Sequence, residues 1–328
     1  MFLSKRAFFV SCLGLVALGA STDSALAQVN WPQRPIKFVV PYAPGGALDT
    51  LARSIGPVLS EKLGQPVVIE NRPGAGTALA ASALAKAAPD GYSIMLGGSA
   101  TLTFNPALKN DLQYDSLKSF THLALVADVP LVIVANNESG IQAVADLVRL
   151  AKATPDRISY GSFGMGSSAH FGGEMLKHAL GINMTHVPYN GSSQSMTGLM
   201  GGQIQVAVDT ASASSALIQS GKVKGIATLS AKRLASMPSL PTVAESGAAG
   251  FELNTWAAIF APAGLPEDVR QKLEGALASA LQSPEIVSKI TSMGLVPSYG
   301  NGSALRERTE KEMLLIKSVA VRSKIQAD

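Results

Sequence analysis

The residues of this sequence that could do chemistry are concentrated in glycine-rich, hydroxyl-rich turns. One such turn reads Gly161-Ser162-Phe163-Gly164-Met165-Gly166-Ser167-Ser168-Ala169-His170. It joins an apolar run to a segment of helical periodicity. Ser167 and Ser168 therefore stand at a helix start, where hydroxyls and unpaired amides can donate to a carboxylate, or merely cap the helix; Ser162 ends the strand before them and Gly166 lies in the turn between. Pro41-Tyr42-Ala43-Pro44-Gly45-Gly46 precedes a second helical segment with Asp49 in its first turn. Further turns hold Ala75, Gly76 and Thr77; Ser99 and Thr101; Tyr189 and Gly191; and Asp209 with Thr210. A carboxylate at Asp209 could accept from a ligand amine or an ordered water, or could cap the next helix.

Ser167, His170 and Asp209 also supply the types a nucleophile, base and orienter require. Ser167 and His170 lie three apart on one helical turn, which packing explains equally well, and no GxSxG elbow is present. A secreted hydrolase or lyase using His170 and Asp209 stays open as the alternative. Gly164 to Ala169 fits GxGxxA, but Val187-Pro188-Tyr189 stands where a nucleotide-binding unit needs an acidic residue. No GxxxxGK[ST] loop occurs, and His122, His178 and His186 lack metal-ligand spacing. No cofactor and no metal are expected.

Those turns must be held by regular elements, and the sequence marks them. Ile36 to Val40 reads as a buried strand, and Leu48, Leu51, Ala52, Ile55, Val58 and Leu59 as a helix. Pro57 predicts a kink or restart in that helix, and Gly64 its end. Pro66 to Ile69 and Tyr92 to Leu96 are further strands, with a helix over 78–87 between them. Strand, loop and helix in series predict parallel sheets with helices on their faces, and ligands beyond the strand ends. Leu123 to Val126 and Leu131 to Ala135 read as two strands joined through Asp128-Val129-Pro130, a crossing into a second domain. The alternation resumes there until Thr255 to Ala261 returns. Three helical segments finish the chain.

At 328 residues the chain has room for two domains. Lys5-Arg6, an apolar stretch over 7–20 and Ala25-Leu26-Ala27 predict a signal peptide over 1–27, cleaved before Gln28. The single cysteine, Cys12, lies inside it, so no disulfide is expected beyond. Net charge is +4 with no basic cluster, which argues against a nucleic-acid partner. An exported, disulfide-free, monomeric protein of a bacterial periplasm is the expectation.

Several of these motifs, in order, resemble the Bug-type periplasmic receptors of tripartite tricarboxylate transporters. They are Pro41 to Gly46 with Asp49 and Ala52-Arg53; Glu70-Asn71-Arg72-Pro73-Gly74-Ala75-Gly76; Ala88-Pro89-Asp90-Gly91-Tyr92; Gly166-Ser167 with His170; His186-Val187-Pro188-Tyr189 with Gly191; Gly201-Gly202-Gln203; and Phe260-Ala261-Pro262-Ala263-Gly264. The resemblance covers Trp31 to the C-terminus. It implies an α/β, two-lobed Venus-flytrap fold of type II, each lobe a mostly parallel sheet flanked by helices. Domain 1 would comprise 28–127 with 253–328, and domain 2 would be 128–252. A small organic carboxylate would be held between the lobes by loop amides, hydroxyls and bridging waters. It would then be delivered to integral-membrane transporter subunits, or, for a sensor, to a signalling partner. Thr77 stands where the pattern usually has glycine. Asn190 with Gln194-Ser195 replaces a more usual lysine and proline-alanine. Tyr42, Leu48, Phe163 and Met165 are candidate apolar walls, favouring an aromatic or longer aliphatic acid.

Overall fold

The computed structural model describes residues 31–154 and 157–325; the signal peptide expected over 1–27 lies outside them. Strand β1 (Ile36–Val40) buries Ile36, Phe38, Val39 and Val40 and exposes only Lys37. It pairs in parallel with β2 (Val67–Asn71) and β3 (Ser93–Gly98). Helix α1 (Ala47–Leu63) buries Leu51, Ile55, Leu59 and Leu63, one stripe at helical spacing, and stops at left-handed Gly64. Of the kink or restart expected at Pro57, the restart does not occur. The helix continues through it, with Pro57 on the exposed face and the buried stripe on the other. Helix α2 (Ala78–Ala85) follows β2 as expected.

The stretch after Leu96 differs from its expected loop. Gly97 and Gly98 complete β3, and a π-helical turn over Ala100–Phe104 runs directly into the short helix α3 (Asn105–Leu108). The two strands expected around Asp128-Val129-Pro130 are one, β4 (Phe120–Ala135). Pro130 falls where β4 changes partners, which is where a proline's missing N–H is tolerated.

The chain then runs through α4 (Val144–Ala153), β5 (Ser159–Ser162), α5 (Ser168–Leu180), β6 (Thr185–Pro188) and α6 (Ser192–Met200). It continues through β7 (Val206–Thr210), α7 (Ala211–Gln219) and β8 (Lys224–Thr228), and returns through β9 (Asn254–Pro262). Strands β6, β5 and β7 are parallel. Strand β4 pairs antiparallel with β9 as far as Pro130, and with β7 and β8 from Leu131 onward. Two strands thus carry the chain between lobes, side by side.

After α8 (Glu267–Leu281) and α9 (Pro284–Ser292) comes a strand that sequence reading missed, β10 (Val296–Asn301), antiparallel to β4. Its sequence, VPSYGN, has no apolar alternation, because it is an exposed edge. Helix α10 (Gly302–Arg322) starts with Leu305 in the core of the first lobe, beside Phe120, Leu125 and Trp256. Its later residues Ile316, Val319 and Ala320 lie in the core of the second, with Phe171 and Leu176. No helix among the described residues is long and apolar enough to cross a membrane.

Candidate functional site

A cavity of about 640 Å³ opens between the lobes. Its walls are the start of α1 (Gly46, Ala47, Leu48), the turn Ala75-Gly76, and the run from Ser99 through Lys109. Opposite stand the loop Phe163 to Ser168 and Thr210; Val129, Thr255 and Trp256 of the crossing strands form its back. Among the described residues no carboxylate side chain lines it, and the one charged residue that does is Lys109. Helices α1, α5 and α7 begin at its wall. Gly46, the cap of α1, supplies no side-chain acceptor, so that helix presents bare amides. Ser167 and Thr210 cap α5 and α7 by accepting from His170 N–H and Ala213 N–H. The amides of Ser168 and Ala211, at the first helical positions, are left to other acceptors. Positive helix ends converging on a gap without acidic groups favour an anion.

Asp49 builds the first loop from behind. It is buried, and accepts from Gly45 N–H at 2.8 Å, Arg53 Nε at 3.0 Å and Asn71 Nδ2 at 2.8 Å. Asn71 also donates to the Tyr42 carbonyl. These bonds, the Arg53 one foremost, hold the Asp49 carboxyl down at about 2. Tyr42 is half-buried on the cavity wall, and burial pushes its phenol up to about 12, so it remains a donor.

The second turn is strained. Ala75, Gly76 and Thr77 have φ of 48°, 60° and 83°. For a β-branched residue such as Thr77 this costs about 1–3 kcal/mol. A glycine there would escape that cost, and hydrogen bonds explain how threonine is held. Thr77 Oγ1 accepts from Thr101 Oγ1 at 2.9 Å and Asn105 Nδ2 at 3.2 Å. Asn105 Nδ2 also holds the Gly76 carbonyl at 2.7 Å, and Lys109 Nζ the Ala75 carbonyl at 3.1 Å. With its carbonyl turned to Lys109, the Ala75–Gly76 peptide points its N–H the opposite way. Thr77→Ala keeps the strain and loses the hydroxyl, and is expected to destabilise by about 1–2 kcal/mol in urea titration. Thr77→Ser should stay within about 0.5 kcal/mol; equal losses in both would show that the hydroxyl is not what holds the turn.

Beneath the second-lobe loop lies a stack of rings. His170 and His186 are 3.8 Å apart and nearly parallel, and Tyr160 stacks on His186 at 4.8 Å. Nδ1 of His170 accepts from Gly166 N–H at 3.1 Å, and Ser162 Oγ lies 2.7 Å from His186 Nε2. Burial lowers the pKa of His170; burial and the neighbouring His170 push His186 down to about 3, so both rings are neutral at pH 7. Ser162 and His170 thus brace a loop whose other face lines the cavity. The triad relay is not formed. Ser167 Oγ donates to the Gly164 carbonyl, and Asp209 accepts from Ser192 Oγ at 2.6 Å and Thr210 N–H at 2.7 Å.

Of the residues singled out from sequence, Tyr42, Gly46, Ala75, Gly76, Ser99, Gly166, Ser167, Ser168 and Thr210 line the cavity. Gly45, Asp49, Thr77, Thr101, Ser162, His170 and Asp209 lie behind it, bonded to the loops that do. Tyr189 packs against α6 and lines a separate depression with Ser193 and Gln194; Gly191 caps α6. All four candidate apolar walls are present. Asn105, Lys109, Trp256 and Leu295 were missed. Trp256 lay in a recognised strand, but no local pattern distinguished the others.

A family model described as a tripartite tricarboxylate transporter family receptor matches residues 51–320. A UPF0065 protein of Bordetella pertussis is 36% identical over 285 residues, covering 87% of this chain and 88% of that protein. The solved structure of R. palustris Rpa4515 with adipate has a TM-score of 0.79 at 33% identity, covering 90% of this chain and 99% of that one. That of MatC from Rhodopseudomonas palustris with bound malate has a TM-score of 0.73 at 30% identity, covering 88% and 99%. The two-lobed type II fold expected from sequence is the fold observed, but its sheets are mixed rather than mostly parallel, because β4, β9 and β10 run antiparallel to their neighbours.

Proposed function

Since the chain belongs to the tripartite tricarboxylate transporter receptor family, we propose that it is an exported receptor working in the periplasm. It captures an organic carboxylate in the interlobe cavity and hands it to the membrane subunits of a transporter. The observation that carries this reading is the convergence of the α1, α5 and α7 starts on a cavity without acidic side chains. Adipate and malate in the two related structures support the carboxylate class.

The mechanism is binding with hinge closure and no covalent step. A carboxylate meets amides of α1 from one lobe and amides and hydroxyls of the 163–168 loop from the other. Bending at Asp128–Pro130 and Asn254–Trp256, where β4 and β9 cross, brings the lobes together. We place the domain boundaries there. Closure excludes water and strengthens each amide–carboxylate bond.

A thermal-shift screen over mono-, di- and tricarboxylates tests this reading. A true ligand at a hundredfold excess over its Kd should add about 2.7 kcal/mol of stability. Finding that no carboxylate stabilises the protein would refute the receptor reading. Turnover of an ester or organic acid, abolished by His170→Ala, would favour the hydrolase or lyase instead.

A further inference from the structure

The walls of the cavity specify more than a carboxylate. Leu48, Phe104, Leu108, Phe163, Met165 and Trp256 all line it, drawn from both lobes and from the crossing strand. A compact polyanion rich in hydroxyls would lose its water against these side chains without replacement hydrogen bonds. Methylene groups or an aromatic ring would gain from the same burial.

Lys109 supplies the second constraint. It is half-buried, the only charged residue on the wall, and has no acidic partner among the described residues. Its ammonium carries three donors, and the Ala75 carbonyl takes one. It stands on the α3 side of the cavity, on a different element from the helix starts that would hold a first carboxylate. An acid with a single charge, seated at α1 and α5, would leave this cation to water and the Ala75 carbonyl, with no counter-charge in the cavity.

Resting on the receptor reading above, we infer that the ligand is a dianion with an apolar body: one carboxylate sits at the helix starts, and a second anionic group pairs with Lys109. Lys109 is then a specificity-determining residue for chain-length or aromatic diacids over short hydroxy acids.

Matched acids separate the two requirements in calorimetric titrations of the full mature chain. Adipate against hexanoate, and terephthalate against benzoate, differ by the second charge on one body; malate and citrate keep the charges and lack the apolar body. The wild type should bind adipate or terephthalate at least about tenfold tighter than malate, citrate or the matched monoacid. Lys109→Met should weaken the preferred diacid about tenfold more than it weakens the matched monoacid, whose loss reads the Ala75 hydrogen bond alone, with Lys109→Arg retaining most of the affinity. Tighter binding of malate or citrate would overturn the apolar body. Equal loss of diacid and monoacid in Lys109→Met would overturn the pairing, because a residue that only positions the Ala75 turn affects both alike. Failure of every acid, with another solute bound, would instead remove the receptor reading for carboxylates.

Discussion

Substituting Asp49 by alanine is expected to lower stability by about 2 kcal/mol and ligand affinity by at least tenfold. The buried carboxylate is the common acceptor for Gly45 N–H, Arg53 and Asn71, and Asn71 in turn fixes the Tyr42 carbonyl. Removing it unties the loop that leads into the bare amides of α1 at Ala47 and Leu48. Water can reach Gly45 and Arg53, so the stability loss stays moderate, while the orientation of Tyr42 and the loop is lost outright. Chemical denaturation and titration with the best acid measure the two effects separately. An unchanged affinity alongside reduced stability would mean that the Pro41–Gly46 loop takes no part in recognition.

The same carboxylate gives a pH signature. Its pKa falls from an ordinary 3.8 to about 2 on folding. Its contribution is therefore fully present above about pH 4 and is lost as pH falls through about 2. Asp49→Asn should remove that limb of the acid-unfolding curve and leave stability between pH 5 and 7 independent of this group.

Much of this architecture was legible because local signals agreed with tertiary demand. The strand–turn–helix of β1 and α1, the left-handed stop at Gly64 and the helix start at Ser167 follow from residue types at short range. The division of polar residues between the cavity wall and its backing was not legible. Ser167 and Ser162 are the same residue type in one turn, yet only Ser167 reaches the wall, while Ser162 turns under the loop toward His186. A hydroxyl beside glycines can face a ligand or its own backbone, and packing alone decides which. Lys109 and Asn105 were invisible for another reason. Their role comes from contact with Ala75 and Gly76, about thirty positions away in sequence, across a helical turn whose residues read as loop. The edge strand β10 escaped because one exposed face and one proline erase its period.

The largest expected effect on folding comes from a single methyl group at Gly98. A Cβ built there would overlap the Trp256 carbonyl oxygen and lie 2.9 Å from its carbon, in the backbone of β9, which has no rotamer to change. Gly98→Ala should therefore push β3 and β9 apart, at a cost of about 3 kcal/mol in denaturant titrations, and move Ser99 and Trp256, both on the cavity wall. Two companion substitutions grade the argument. At Gly97 the new methyl would meet the Phe260 ring at 2.9 Å and Thr101 Oγ1 at 3.1 Å, side-chain atoms that can yield, so a smaller loss of about 1–2 kcal/mol follows. At exposed Gly275 in α8 nothing lies within 4 Å, so alanine should stabilise by about 0.5–1 kcal/mol through helix propensity. The order of the three midpoints isolates backbone-to-backbone approach from the general cost of adding a methyl. Were Gly98→Ala to fall beside Gly275→Ala, with ligand affinity intact, β3 and β9 could not be approaching so closely beside the hinge. The back wall of the cavity would then have to be set by something other than that strand pair.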